Sequence, residues 1–504
     1  MSVETELKLT ILAEDVEKFS QHEVLQSTTQ PPESQTLLST YFDTEKQDLL
    51  QQGIGLRIRH VGKKRLQTLK TTGSVLGGLH QRNEWEIEVE SNVPQIDLIP
   101  EDALPKRFLH KLKHIQPIFT TEFERKIWRI TPSENCEIEV ALDQGQVRAG
   151  ECTTPISEIE LELKAGNPSV LYQLALQFQE TLPLTIENRS KAARGYQLHK
   201  SSEPQYYKAE SIVLSKNMTA EQAFVTIAWH CLSHLQSNED MVLHGKDIEG
   251  VHQMRVALRR LRSCLSTYKS IIPYKTNQFL RQELKWISTI LGEARDWDVF
   301  QLTLQSIRTQ APDNKDIEAL EALVTSLQRQ SYVLVRDTLN LPRYNRLLLS
   351  LGEWLTNLTW RQSAEKNQLN TLDGSATKFA TQQLDKHYQK VYKRGKYFDQ
   401  LTPEQRHDLR IEIKKMAYSV RFFSSLYSQD IVKNYSKRLS QLQDELGVLN
   451  DVHVAGALLE KANIDPNTPA RHFLAGWYTY QRMIHLDSLA HAWQALLTQK
   501  IFWK

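Results

Sequence analysis

Acids and bases recur at every second position through the first 200 residues. The chain begins Glu4-Thr5-Glu6-Leu7-Lys8, continues with Arg57 and Arg59 alternating with Leu56 and Ile58, and brings Lys70 on the next segment. Arg82, Glu84 and Glu86 alternate with Trp85 and Ile87, and Glu139 lies between Ile138 and Val140, ahead of Asp143. Glu158, Glu160 and Glu162 alternate with Ile159, Leu161 and Leu163. Residues two apart on a strand share a face, so each run sets its charges against its apolar residues. A solvated sheet face would explain any one strand. It explains less well why one strand carries paired arginines and others paired or tripled glutamates. Together the two signs suit a wet cavity in which carboxylates bind Mg2+ or Mn2+ while Arg forks and Lys points hold phosphate oxygens.

Positioning these residues takes a β-rich domain. Period-two segments at 4–12, 55–61, 65–71, 84–90, 123–130, 137–143 and 157–163 are separated by turn residues such as Gly73 and Gly77-Gly78. They predict seven or eight antiparallel strands in a sandwich or closed barrel, with helices at 15–26 and 168–182. Beyond Pro204 the period becomes helical, with amphipathic stretches at 219–235, 251–271, 279–291, 409–427 and 434–446. The expected domains are 1–204 and 205–504. His252-Gln253-Met254-Arg255-Val256 returns as His407-Asp408-Leu409-Arg410-Ile411, and Leu291-Gly292 through Asp296 returns at the same offset as Leu446-Gly447 through Asp451. Two matches in one register predict a duplication, about 220–370 and 375–504, folded as two related helical bundles.

At 504 residues with 24% charged and 40% hydrophobic residues, the composition is that of a globular protein of more than one domain. Residues 1–204 carry 23 Lys and Arg against 30 Asp and Glu, whereas residues 205–504 carry 39 against 30. An acidic half with metal-ligand potential thus precedes a basic half that favours polyanions. Cys136, Cys152, Cys231 and Cys264 are widely spaced, which argues against a disulfide framework or zinc knuckle. No apolar run has the length of a membrane span and the N-terminus lacks signal-peptide character, so a cytoplasmic location and no membrane partner are expected.

The motifs of the first half, Glu4-x-Glu6-x-Lys8, Leu56-Arg57-Ile58-Arg59, Thr68-Leu69-Lys70, Arg82-x-Glu84-x-Glu86, Arg125, Asp143, Glu158-x-Glu160-x-Glu162 and Ser190-Lys191-x-x-Arg194-Gly195-Tyr196, resemble the CYTH, or triphosphate tunnel metalloenzyme, family. The resemblance covers about residues 1–200 and implies an eight-stranded antiparallel tunnel that binds triphosphate groups with a divalent metal. It implies that Glu4, Glu6, Glu160 and Glu162 hold metal, with Asp143, Glu84, Glu86, Glu139 and Glu158 as weaker candidates. Lys8, Arg57, Arg59, Lys70, Arg125 and Lys191 would act on the phosphates, with Arg82 and Arg194 binding substrate.

In the basic half, His252, Arg255, Arg259 and Arg262 fall on one helical stripe with Arg260 at its edge. His407, Arg410, Lys414 and Arg421 form a second stripe with Lys415 beside it. A solvated helix face is the ordinary reading of one such stripe; recurrence with the same leading His and Arg favours polyanion binding. This half resembles a CHAD domain, a helical family associated with polyphosphate, and the resemblance implies a basic channel between two bundles. The expected activity is metal-dependent hydrolysis of inorganic triphosphate, with polyphosphate as a second partner. Adenylate cyclase, thiamine triphosphatase and a non-catalytic polyphosphate scaffold are the alternatives. Neither half carries a base-recognition motif, and no specific nucleic-acid partner is expected.

Overall fold

The computed structural model describes residues 2–504 except 29, 72, 100–102, 105–107, 109–110 and 201–202. Two compact units are present: residues 1–203 with 340–357, and residues 204–339 with 358–504.

Among the described residues, the first unit is built on ten antiparallel strands: β1 (Ser2–Thr10), β2 (Glu33–Asp43), β3 (Gly55–Val61), β4 (Lys64–Lys70), β5 (Ser74–Leu76), β6 (Leu79–Glu88), β7 (Gln116–Ser133), β8 (Cys136–Ala149), β9 (Cys152–Ala165) and β10 (Thr185–Ile186). Their order is β10-β1-β9-β8-β7-β2-β3-β4-β6-β5, and an added β1–β6 pairing closes eight of them into a barrel. Closure leaves β5 and β10 as short additions outside the ring. Register sets charge against charge: Glu4 lies opposite Arg82, Lys8 opposite Glu160, Lys70 opposite Glu84 and Arg125 opposite Asp143.

On β1, β3 and β9 the charged residues turn into the barrel and most apolar residues pack outside its wall, while Leu37 and Tyr41 of β2 and Leu66 of β4 add apolar surface to the interior. Leu7, Leu9, Ile138, Ile159 and Leu161 are fully buried under the surrounding structure, as are Phe19 and Phe178, whose rings meet edge to face 5.0 Å apart. On another side, Leu56 and Leu69 join Leu49, Ile54 and Leu112. Helix α1 (Ser169–Gln179) follows β9. Helix α2 (Lys191–His199) starts at a Ser190 N-cap that accepts from the Ala193 amide at 3.1 Å.

The second unit is helical. Helices α3 (Ala220–Gln236), α4 (Glu249–Thr267), α5 (Gln278–Gln310) and α6 (Lys315–Leu339) are followed, after α7 (Pro342–Asn357), by α8 (Ala376–Gly395), α9 (Pro403–Phe423), α10 (Gln429–Lys461) and α11 (Pro469–Leu497). Helices α8–α11 repeat the order of α3–α6. The helices at 279–291 and 434–446 extend well past their expected ends, to Gln310 and Lys461. Helix α7 lies between the copies in sequence but belongs to the barrel unit, where it packs on α1 and reaches β10. The expectation of two consecutive domains did not anticipate this return, because α7 shows only the amphipathic pattern of its neighbours.

Candidate functional site

The barrel encloses a cavity of about 730 Å3 lined by Glu4, Glu6, Lys8, Arg57, Arg59, Lys70, Arg82, Glu84, Glu86, Arg125, Glu139, Glu160, Glu162 and Lys191. Strand periodicity explains the convergence, since every second residue of a closed antiparallel wall points inward. On one side the cavity is a lattice of ion pairs. Lys70 and Arg82 both meet Glu4 at 2.8 Å, and Arg82 also meets Glu6 at 2.5 Å. Lys8 bridges Glu6 at 3.1 Å and pairs with Glu160, as does Arg125. Burial alone would raise the Glu4 carboxyl, but Lys70 and Arg82 outweigh it and hold Glu4 well below the usual range.

The opposite wall is short of negative charge. Arg57 donates to the Tyr41 hydroxyl at 3.3 Å and has Glu84 at 3.8 Å. Arg59 donates to Ser39 Oγ at 3.2 Å, and among the described residues no carboxylate forms an ion pair with it. Burial, then the like charges of Arg57 and Arg125, push Arg59 down to about 10. The buried Nε of Arg57 has no hydrogen-bond partner among the described residues. Guanidiniums this deep and under-compensated form a site for an anion.

The helical unit holds a groove of about 820 Å3 between its two copies. His252, Arg255, Arg259 and Arg262 of α4 line it with His407, Arg410, Lys414 and Lys415 of α9. Gly292 on α5 makes room for the Arg255 guanidinium, since a Cβ there would lie 2.3 Å from Arg255 Nη1. Burial and then the Arg295 charge lower the His252 imidazole. Burial also lowers Arg255, against the opposing pull of Asp296.

Family models match both halves: CYTH domain over residues 2–196 and CHAD domain over residues 226–460. A crystal structure of the CHAD domain from the plant Ricinus communis is 31% identical with a TM-score of 0.52; the match covers 59% of this chain and 98% of that one. The chain joins a CYTH domain to a CHAD domain. A curated inorganic triphosphatase of Haemophilus influenzae is 41% identical over 169 residues, which is 32% of this chain and 45% of that protein. An uncharacterized protein of Mycobacterium tuberculosis is 26% identical over 254 residues, 48% of this chain and 46% of that one. The matched regions thus span less than half the length of these curated relatives.

Within the CYTH barrel, the expected site residues line the cavity except for Asp143, Glu158 and Arg194. Glu4, Glu6, Glu160 and Glu162, the metal candidates, reach the cavity from adjacent strands β1 and β9, together with Glu84, Glu86 and Glu139. Asp143 and Glu158 lie behind the cavity surface, fully buried. Lys191 meets Asp143 at 2.5 Å and pairs with Glu158, and Arg194 pairs with Glu158 rather than reaching the cavity lining.

Asp143, Glu158 and Glu160 lie close enough together to share an ion, but of the three only Glu160 lines the cavity, and Lys191, Arg125 and Arg194 compensate Asp143 and Glu158. The carboxylates at Glu162 suit a divalent cation better. Burial raises the Glu162 carboxyl, Lys164 opposes this, and the like charges of Glu4 and Glu139 raise it further. Hard oxygen donors with surplus negative charge are what Mg2+ or Mn2+ requires.

In the CHAD groove two expected residues are misplaced. Arg260 is buried on the opposite face of α4, with its Nη1 3.4 Å from His234 Nδ1. Arg421 lies exposed near the end of α9, outside the groove. Arg260 sits one residue off the stripe, so helix rotation carries it away, whereas Arg421 shares the Lys414 face but lies two turns, roughly 10 Å, farther along the helix. Sequence reasoning missed Arg281, Lys285 and Arg295 of α5, which line the groove. The i,i+4 spacing of Arg281 and Lys285 was the available signal. It also missed Tyr41 and Ser39 on β2, a strand whose mixed polar sequence has no clear alternation.

Proposed function

We propose that the barrel is a metal-dependent triphosphatase that cleaves inorganic triphosphate to pyrophosphate and orthophosphate, and that the basic groove binds polyphosphate. The observation that carries the reading is one closed cavity in which Arg59 has no ion-paired carboxylate among the described residues while Glu139 and Glu162 share Lys164. A chain of phosphates bearing a divalent ion satisfies both. The name of the Haemophilus influenzae relative agrees with this substrate.

Glu4, Glu6, Glu160 and Glu162 would hold the ion, with Glu139 and Glu84 nearby. When bound, a divalent ion there supplies neutralisation of the phosphate chain and activation of water for in-line attack. The protein's own cations do the rest. Lys70 and Arg82 keep Glu4 ionised at neutral pH. Arg57, Arg59 and Arg125 face the phosphate oxygens, where charge spreads as the bond to the leaving group lengthens. Tyr41, accepting from Arg57, fixes that guanidinium and leaves its own O–H to donate to an oxygen. In the groove, cations on three helices meet successive phosphates of a longer chain.

The test is product analysis on the purified full-length chain with Mg2+ or Mn2+, comparing inorganic triphosphate, thiamine triphosphate, ATP and long-chain polyphosphate. Orthophosphate release from inorganic triphosphate is expected to be fastest. Pyrophosphate and cyclic AMP from ATP, without triphosphate cleavage, would overturn the reading in favour of a cyclase.

A further inference from the structure

Helix α7 does more than cover the barrel. Its Leu347, Leu351 and Leu355 are buried, and Gly352 lets it approach Tyr172 of α1 so closely that a Cβ would lie 2.3 Å from the ring. One face of the helix then meets β10. This two-residue strand pairs with β1 through Leu9–Ile186 and Thr10–Thr185, and the Glu187 amide donates to the Lys8 carbonyl at 3.0 Å. The Ile186 amide is captured instead by Asn345 Oδ1 of α7 at 2.9 Å. Asn345 is 4% exposed. Beside it, Gln179 Nε2 donates to both the Leu184 and Pro342 carbonyls at 3.1 Å, tying the start of β10 to the start of α7.

Five residues after Ile186 comes Lys191. The intervening residues are held at several points. The Glu187 carbonyl lies 3.3 Å from His80 Nε2, the Glu187 carboxylate accepts from Arg189, and Ser190 caps α2. Lys191 then reaches Asp143, Glu158 and Glu160. Asn188 and Ser190 themselves line the cavity. With so few main-chain bonds in β10, its position depends on what grips its outer edge.

We infer that α7, contributed by the second half of the sequence, is a positioning strut for the tunnel, with Asn345 and Gln179 fixing β10 and through it the Lys191 segment against the substrate cavity. Asn345 touches no substrate; its effect is transmitted through Lys191. A displacement of about 1 Å in a charge-positioning segment is enough to lower turnover by up to roughly a hundredfold. The inference rests on the triphosphatase reading for its functional consequence, but not for its structural one.

The test is a double-mutant cycle in the full-length chain with two readouts: inorganic triphosphate affinity by calorimetry, and hydrogen exchange at amides 186–194. Asn345→Ala is expected to weaken triphosphate binding about tenfold in the native background and less than twofold when Lys191→Ala is already present, because coupled residues are not additive. Exchange at 186–194 should rise while the β7–β8 hairpin stays protected. Equal losses in both backgrounds, or unchanged exchange, would overturn the strut. If the native chain fails to bind triphosphate at all, the proposed function fails, and the exchange readout still decides the strut. Should Asn345→Ala not fold, Gln179→Met loosens the other tie and takes its place in the same cycle.

Discussion

Charge in this protein works by pairing and by its deliberate omission. Where Lys191, Arg125 and Lys8 meet Glu160, burial raises the carboxyl but the three cations more than reverse it. Where Arg59 has Ser39 and, among the described residues, no ion-paired carboxylate, burial and like charge weaken the cation. On α4 the difference is one of placement: Arg255 lines the groove, whereas Arg260 is buried beside His234. Replacing Arg255 and Arg410 together by Ala should weaken polyphosphate binding and flatten its salt dependence, because two phosphate contacts are lost. Arg260→Met should lower the melting temperature and leave polyphosphate affinity within about twofold, since Arg260 faces His234. Filter binding across a salt series distinguishes the two.

His387 on α8 offers a test in pH. Burial pushes its imidazole down to about 4, with Lys390 adding to the shift and Glu412 opposing it. The unfolded chain takes up this proton near the ordinary value of 6.5. Stability is therefore complete above that value and falls as pH drops towards 4. Between pH 7 and 5 this group should cost roughly 2 kcal/mol. Urea unfolding of His387→Gln should show a smaller loss over that interval; an equal loss would mean His387 does not titrate as described.

At the level of elements, what the sequence made legible followed from period. Inward Glu4, Glu6 and Lys8, and inward Arg57 and Arg59, were readable because strict alternation admits two faces and only one can be apolar. Strand β2 was not, because Ser34, Gln35, Ser39 and Thr40 blur the alternation and its pairing with β3 and β7 is what holds it. The segment 15–26 reads as one helix yet breaks at His22, whose Nδ1 accepts from the Val24 amide at 3.3 Å and starts a new turn. Close approach is equally invisible beforehand. Gly195 on α2 sits against the Phe119 ring, where a Cβ would fall 2.1 Å away, while the next residue, Tyr196, donates to Asp43 at 2.9 Å. Gly195→Ala should therefore destabilise the barrel by about 1–3 kcal/mol through overpacking, read by thermal unfolding; an unchanged melting temperature would contradict this packing.

For the whole molecule, the two families of motif were legible but their interleaving was not. Nothing in residues 340–357 marks them as part of the barrel, since a buried Leu-rich stripe fits either unit. No described helix is long and apolar enough to cross a membrane. A fragment ending at residue 203 exposes the face of α1 that α7 covers. Joining residues 340–357 to it through a flexible linker should raise its melting temperature by several degrees, because each buried Leu contributes about 1.5–3 kcal/mol of transfer free energy. Equal melting temperatures would show that the barrel does not need the helix.

The central claim is that the arginine wall is built for a phosphate chain, and Arg59 tests it most directly. Calorimetric titration of inorganic triphosphate into the full-length chain and into Arg59→Met should show affinity falling at least about thirtyfold, by removal of a charge-assisted donor. Thermal stability should hold or rise, because a partly buried cation with no ion-paired carboxylate among the described residues has been replaced by an apolar side chain of similar volume. Unchanged triphosphate affinity in Arg59→Met would contradict the account.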